Sequence, residues 1–206
     1  MNAVYAFVDA QTPAFAEQPH AKLSLNGEQL PLPAATAGLG YVKTTMNGGS
    51  WRTLTVEKSS AGTSWGAVYA QFMQKTGDID ENVSGITVKR EILGGGAPLQ
   101  VGHKVKVRIT IQADRDYDFV QVVDKRAACL EPVEQLSGYR NGCYVAPRDG
   151  TTAYYFNMLR KGKHVIETEY FIDRAGEYTS GTCTVQCAYA PEFSARSKAM
   201  RLRIEK

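Results

Sequence analysis

The chain has 206 residues, of which 43% are hydrophobic and 22% are charged, and its formal net charge is +3. This length allows one or two domains with buried cores, and the composition is ordinary for a soluble globular protein. The densest basic cluster, KAMRLRIEK at 198–206, alternates charged with apolar residues. That alternation indicates one polar strand face and argues against nucleic-acid binding.

The first part of the chain begins with helical spacing and then changes to strand spacing. NAVYAFVDA at 2–10 places Val4, Phe7 and Val8 at helical spacing, which predicts the remnant of a short helix. From residue 21, AKLSLNGEQLPL alternates apolar with polar residues and breaks at Asn26-Gly27, which predicts a β-hairpin. Three further strands are predicted, in LGYVKTTM at 39–46, WRTLTVEK at 51–58 and WGAVYAQFM at 65–73. The periodicity of the last segment also fits a helix, but its aromatic and β-branched residues favour a strand.

A polar stretch, KTGDIDENVSG at 75–85, indicates a domain boundary. We expect a small β-domain with its helix remnant over residues 1–82 and an antiparallel β-sandwich over residues 83–206, so the chain is predicted to be all-β. Seven alternating segments support the sandwich: ITVKREIL, HKVKVRITIQA, YDFVQVVDK, TTAYYFNML, KHVIETEYFID, GTCTVQCAYA and MRLRIEK. In the second segment the inward side chains should be Val105, Val107, Ile109 and Ile111.

The four cysteines are predicted to be free, buried thiols. Cys183 and Cys187 would share a strand face roughly 13 Å apart, too far to form a disulfide, whereas Cys129 and Cys143 could pair across a loop. Either Cys129 or Cys143 could also act as a nucleophile with His164 as its base, but only geometry identifies such a pair. The sequence has no HExxH motif, and we favour the structural interpretation.

Carboxylates and glycines offer no stronger site. Glu167 and Glu169 alternate on one strand, which indicates a solvated face more than a glycosidase pair. The stretch GDIDEN at 77–82 lacks the later glutamate of an EF-hand, and the glycines at 94–96 open no helix that could bind phosphate. We therefore predict no catalytic residue, no metal and no cofactor.

Aromatic side chains are the remaining candidates for a binding site. An exposed platform could bind sugar or peptide, although adjacent residues on a strand alternate faces, so part of the set must lie in the core. We favour a structural role for this set, which comprises Tyr139, Tyr144, Tyr154, Tyr155, Phe156 and Tyr170.

The stretch CLEPVEQLSGYRNGCYVAPRDG at 129–150 is dense in polar and aromatic residues. We interpret it as a corner of the sandwich and not as a catalytic loop. CLEP should leave a strand, with Pro132 blocking further pairing, and SGYRNG should form a turn. RDGT would then begin the next hairpin.

Several motifs resemble the C-terminal end of bacterial alpha-2-macroglobulin family proteins, in particular the large forms of Bacteroides-like bacteria. They are D-x-R-A-A-C-L-E-P at 124–132, S-G-Y at 137–139 and Y-A-P-E-F at 189–193. The segments WRTLTVEK and SWGAVYAQF resemble the part that follows the helical thioester domain in that family. The resemblance implies structural roles for the motif residues Cys129, Glu131, Pro132, Tyr139, Tyr189, Pro191 and Phe193.

The resemblance implies that this chain is the C-terminal scaffold of a protease-trapping inhibitor, ending in a macroglobulin-type domain. Its partners would be other domains of the parent chain, in particular the thioester domain, and indirectly a target protease. The chain has no C-x-E-Q thioester motif. It also has no apolar run of membrane-spanning length and no signal sequence, so we expect a longer precursor in the cell envelope or periplasm. The alternative is a free-standing surface module that binds sugar or protein.

Overall fold

The computed structural model describes residues 4, 6, 10, 21–33, 41–59, 64–94 and 98–206. They divide into two compact units, Met1–Ala70 and Gln71–Lys206. Nearly all of the regular structure is antiparallel strand, which confirms the all-β prediction. The domain boundary predicted between residues 82 and 83 stays a prediction. The expectations for residues 7, 8 and 95–96 lie outside the described residues.

The N-terminal unit contains a three-stranded antiparallel sheet with the hairpin's first strand in the centre. Residues 4, 6 and 10 are helical, as the spacing predicts. The predicted hairpin turns at Asn26-Gly27, where both residues have positive φ, 51° and 89°. The Asn26 side-chain carbonyl also accepts hydrogen bonds from the backbone N–H groups of Arg52 and Thr53. The strands are β1 (Lys22–Leu25), β2 (Glu28–Gln29) and β3 (Leu54–Glu57).

Two of the predicted strands in the first part of the chain are wrong. WGAVYAQFM, at 65–73, has no regular secondary structure, and its large apolar side chains are exposed. In the described part of LGYVKTTM, Tyr41 forms a single bridge and residues 42–46 form no strand. Strand propensity describes how side chains fit a half-buried sheet, so it cannot create a strand without a neighbouring strand that pairs with it.

The C-terminal unit contains every segment predicted for the sandwich, and short strands join them. The seven predicted segments correspond to β5, β7, β8, β12, β13, β15 and β17 below. The strands are β4 (Asn82–Ser84), β5 (Ile86–Leu93), β6 (Leu99–Gln100), β7 (Lys104–Ala113), β8 (Tyr117–Lys125), β9 (Leu130–Pro132), β10 (Gly138–Arg140), β11 (Cys143–Pro147), β12 (Thr151–Leu159), β13 (Gly162–Ile172), β14 (Gly176–Thr179), β15 (Cys183–Cys187), β16 (Ser194–Arg196) and β17 (Arg201–Glu205).

One long sheet forms both layers of the sandwich, in the order β10-β11-β12-β8-β15-β16-β4-β5-β7-β13-β9. We call β10, β11, β12, β8 and β15 the first layer, and β5, β7, β13 and β9 the second layer. Side chains of both layers meet in one core that includes Ile111 of β7, Val122 of β8 and Val185 of β15. The short strands β16 and β4 connect the layers, so the sheet folds over on itself.

A second core lies beside the first. It joins β7, β9 and β13 to β17, with Val107, Leu130, Tyr170 and Ile204 among its buried members. Here β17 is the centre of a small sheet of order β14-β17-β6. The C-terminal strand is therefore built into the sandwich by apolar packing.

The alternation on β7 and β13 is as predicted. Val105, Val107, Ile109 and Ile111 are buried. On the opposite side of the second layer, Arg108 pairs in register with Glu167 and Glu91, and its Nη2 lies 2.6 Å from the Glu167 carboxylate. The Arg108 guanidinium, with help from Lys106, lowers the pKa of Glu167. Glu167 and Glu169 thus belong to a solvated face, which confirms that interpretation.

The corner at 129–150 is partly different from the prediction. Leu130–Pro132 does not leave the sheet but forms β9 at its edge, and the Val133 N–H still donates to the Glu169 carbonyl at 3.0 Å. Gly138–Arg140, predicted as a turn, is strand β10, and only Asn141-Gly142 turns, with φ of 53° and 80°. A proline at an edge strand costs no ladder hydrogen bond when its nitrogen faces away from the neighbour, so Pro132 did not end the pairing.

We expect Gly85→Ala to destabilise the fold by at least about 2 kcal/mol, because Gly85 has a φ of +73° and an added Cβ would meet the Tyr117 hydroxyl and the Phe193 ring. The measurement is urea unfolding followed by circular dichroism. Gly102→Ala is the control: its φ is +83°, but an added Cβ meets no described heavy atom within 4 Å. Equal losses for the two variants would contradict the packing argument.

Candidate functional site

Asp124, the first residue of the 124–132 motif, forms a buried ion pair. Its Oδ1 accepts from Nη1 of Arg90, and the two side chains are only 2% and 1% exposed. The Nη2 of Arg90 donates to Ser180 Oγ and to the Gly181 carbonyl, each at 2.6 Å. Burial raises the pKa of Asp124, and the guanidinium opposes that shift. This pair links the second layer to the first and to the segment after β14.

Arg126, two residues further along the motif, holds the corner together. Its guanidinium donates to the carbonyls of Leu130 at 2.8 Å, Thr151 at 2.8 Å and Asp149 at 2.7 Å. These carbonyls belong to the first residues of β9 and β12 and to the turn before β12, so one guanidinium that bonds to all three fixes the path of the chain. Glu131 lies 3.9 Å from the same guanidinium.

The remaining motif residues lie in three places. Cys129 and Pro132 are buried around β9 beside Glu131. Tyr139 is on β10, at the edge of the first layer. The Y-A-P-E-F segment forms the turn between β15 and β16, in which the Phe193 N–H donates to the Ala190 carbonyl at 3.0 Å. Pro191 occupies the second position of this turn, which its fixed φ suits. The roles predicted for these residues stay predictions.

The thiols are free and buried, as predicted. Burial raises the pKa of all four, so they are held as protonated thiols and are poor nucleophiles. The Cys143 Sγ lies 3.5 Å from the Arg140 carbonyl, whereas His164 Nε2 lies 2.6 Å from the Arg160 carbonyl. Cys129 belongs to the second core. These contacts do not join either thiol to His164 as nucleophile and base.

The tyrosines divide between the core and the surface. Tyr154 and Tyr170 are buried, and the Tyr154 hydroxyl lies 2.6 Å from Thr168 Oγ1. Tyr139, Tyr144 and Tyr155 are 72%, 37% and 37% exposed and stand opposite one another on β10, β11 and β12. Their ring centroids are 5.4 Å and 6.5 Å apart, with interplanar angles of 70° and 48°. The exposed rings are contiguous but not coplanar.

The ribbon of β8 and β12 has a shared kink. In each strand two consecutive side chains are exposed where alternation requires one, namely Asp118 and Phe119 in β8 and Asn157 and Met158 in β12. Phe119 has a φ of 53°, its carbonyl accepts from the Ala188 N–H at 2.8 Å, and its ring packs edge-on against Tyr189 at 5.3 Å. A bulky residue rarely adopts this backbone conformation, so the kink turns Phe119 outward at a cost in strain.

A small pocket opens between the layers near β10. Its volume is about 190 Å³, and its lining includes Cys143, Thr152, Tyr154 and Ile166. Pockets for small molecules are usually roughly 300–1,000 Å³, so this one is small for a ligand. Among the residues that the structure describes, no cluster of His, Cys, Asp or Glu could hold a metal ion, and no helix could span a membrane.

Two important residues were missed by the sequence reasoning. Arg90 lies in ITVKREIL at the position that the alternation places inward, after Ile86 and Val88. An arginine at an inward position indicates a buried acidic partner, and that signal could have identified it. The backbone conformation of Phe119 has no comparable signal, because the sequence there reads as an ordinary strand.

Residues 78–192 match the family model described as the bacterial alpha-2-macroglobulin MG10 domain. Solved structures are similar in fold. A Salmonella alpha-2-macroglobulin reacted with methylamine matches with a TM-score of 0.55 and 21% identity over 62% of this chain and 10% of that one. The trypsin-activated protein from Escherichia coli matches at 0.54 and 16%, over 62% of this chain and 11% of that one. No curated protein sequence matches the chain.

We expect Asp124→Ala to lower the free energy of unfolding by about 3–5 kcal/mol, because it leaves the Arg90 charge buried without its partner. The double variant Arg90→Met with Asp124→Leu should lose less than the single variant, since it removes both charges and keeps apolar volume. Urea unfolding of Arg90→Met, Asp124→Leu and the double variant measures the coupling between the two side chains. Additive losses would show that the two side chains do not interact.

We expect all four cysteines to react slowly with Ellman's reagent in the folded chain and rapidly after unfolding in guanidinium chloride. Burial and the raised pKa of each thiol both oppose reaction in the folded state. Rapid reaction of one thiol in the native chain, identified by mass spectrometry, would indicate an accessible thiolate and revive the nucleophile hypothesis.

Proposed function

We propose that this chain, which belongs to the bacterial alpha-2-macroglobulin family, is a non-enzymatic scaffold portion of a longer protease-trapping inhibitor. In this role it packs beside the thioester domain of the parent polypeptide and moves with that domain or shields it. The parent protein resides in the cell envelope or periplasm. Cleavage of the parent by a protease would lead to collapse around the enzyme, and this chain would transmit or accommodate that movement.

Family membership rests on a match to more than half of the chain. The chain spans about a tenth of the length of the Salmonella and Escherichia coli structures that it resembles. It spans 24% of an Escherichia coli structure that runs from domain MG7 to the C-terminus, to which it is 17% identical. A scaffold portion of a longer protein is consistent with these proportions.

The proposal rests on one observation: the motif side chains are bonded to, or buried by, other groups of the same fold. Asp124 is held by Arg90, Arg126 is bonded to three carbonyls, and Cys129 is buried. Groups that are buried and bonded to their own chain are not available to polarise or attack a substrate. Their arrangement serves the stability of the sandwich and so supports a scaffold role over an enzymatic one.

The alternative, a free-standing module for sugar, predicts a flat aromatic surface. The three exposed rings are tilted by 70° and 48° to one another, which does not form such a surface. The burial of Tyr154 and Tyr170 in the core also favours the scaffold.

The first test is a blot of fractionated source cells with an antibody raised against this chain. We expect a band much larger than 22.6 kDa in the envelope fraction, because the chain would be one portion of a long exported polypeptide. Adding trypsin to that fraction should leave the trapped enzyme active on a small peptide substrate and inactive on a large protein. A band of 22.6 kDa in the cytoplasm would contradict the proposal.

A further inference from the structure

The two outer faces of the sandwich differ in charge. On the second layer, Lys106, Arg108, Glu167 and Glu169 form a network of ion pairs that remain in contact with water. Covering this face with another protein would remove water from four charges, and the mutual attraction of buried charges often fails to offset that loss. The second layer is therefore suited to remain in solvent.

The first layer instead carries an uncharged row across its outer face. The row passes in direct register through the five strands of the first layer and continues onto the connecting strands β16 and β4, so its side chains lie on one face of the sheet. Every member ends in a hydroxyl or an amide, which can both donate and accept hydrogen bonds. We call this the tyrosine–glutamine row; its members are Tyr139, Tyr144, Tyr155, Gln121, Gln186, Ser194 and Ser84.

Large aromatic side chains extend this row. Phe119, two positions before Gln121 on β8, is 52% exposed, and Tyr189 against it is 82% exposed. The left-handed backbone of Phe119 is strained, and such strain is concentrated at functional positions. Contiguous exposed apolar side chains rimmed by polar groups mark interaction surfaces.

We propose that the tyrosine–glutamine row, with Phe119 and Tyr189, is the surface on which another domain of the parent polypeptide docks. This inference rests on the proposed function. The docking domain presents an uncharged, apolar surface with exposed hydroxyl or carbonyl groups, because the row offers neither a cation nor an anion to pair with. Tilted rings accommodate the uneven surface of a protein, in which aromatic anchors fill pockets and polar groups form the rim.

The test compares hydroxyl-radical footprinting of the isolated 206-residue chain with that of the parent polypeptide immunopurified from source cells. We expect oxidation of Tyr139, Tyr144 and Phe119 to fall several-fold in the parent, because a docked domain excludes solvent from them. Phe171 is the reference. It is exposed on the outer side of the second layer, beneath Lys104, and its oxidation should not change.

A matched pair of variants separates docking from general protection. Gln186 and Gln112 are both exposed glutamines, the first in the tyrosine–glutamine row and the second on the outer face of β7. In the parent, Gln186→Arg should restore oxidation of the three aromatic residues, because it places an unpaired charge in the interface. Gln112→Arg should leave them protected. Both variants are first checked for an unchanged melting temperature as isolated chains.

The outcomes distinguish this inference from the proposed function. A large parent whose row is oxidised as strongly as in the isolated chain would overturn the docking surface and leave the scaffold role in place. Detection of the 22.6 kDa chain alone would overturn both. Dimerisation of the isolated chain that Gln186→Arg abolishes would assign the face to a second copy. Protection of the isolated chain by neutral oligosaccharides would assign it to a sugar, and either result overturns the proposal.

Discussion

The buried ion pair between Arg90 and Asp124 is the constraint on which the sandwich depends. Burying two charges costs several kcal/mol for each ion, and only good geometry with additional hydrogen bonds offsets that cost. Here the guanidinium also bonds to Ser180 Oγ and to the carbonyls of Lys125 and Gly181. One side chain of the second layer therefore fixes the end of β8 and the segment before β15. Displacing any of these parts would leave a buried charge unsatisfied.

The stretch at 129–150 is rich in reactive residue types, but its side chains are not arranged as an active site. Like Arg90 and Asp124, they are bonded or packed within the fold. Arg126 is directed to backbone carbonyls, Cys129 lies in the second core, and Glu131 stands beside the Arg126 guanidinium at the sheet edge. An active site needs polar groups directed at empty space where a substrate can enter. In the corner at 129–150, the reactive side chains are directed at their own backbone instead. The many polar residues there stabilise the change in direction of the chain.

The contrast between the two outer faces connects the fold to its proposed role. The ion pairs across β5, β7 and β13 are stable in water, but covering them with protein would require desolvation of charged groups. The tyrosine–glutamine row has no charged group to desolvate, and it carries exposed rings. The strained backbone of Phe119 adds an aromatic side chain to the face that carries the tyrosine–glutamine row. A module with one charged, solvated face and one face that carries an uncharged aromatic row is suited to lie at the side of a larger assembly.

The sequence by itself determined the seven long strands, the inward set of β7, the hairpin at Asn26-Gly27 and the buried thiols. These follow from alternation and turn chemistry, which act between residues close along the chain. Only the tertiary structure decided that 65–73 is not a strand, that 130–132 and 138–140 are, that Arg90 meets Asp124 and that Phe119 is turned outward. Each of these features depends on a partner that is distant in the sequence. Strand pairing and the burial of charged side chains are determined by such partners, and a local sequence pattern does not identify them.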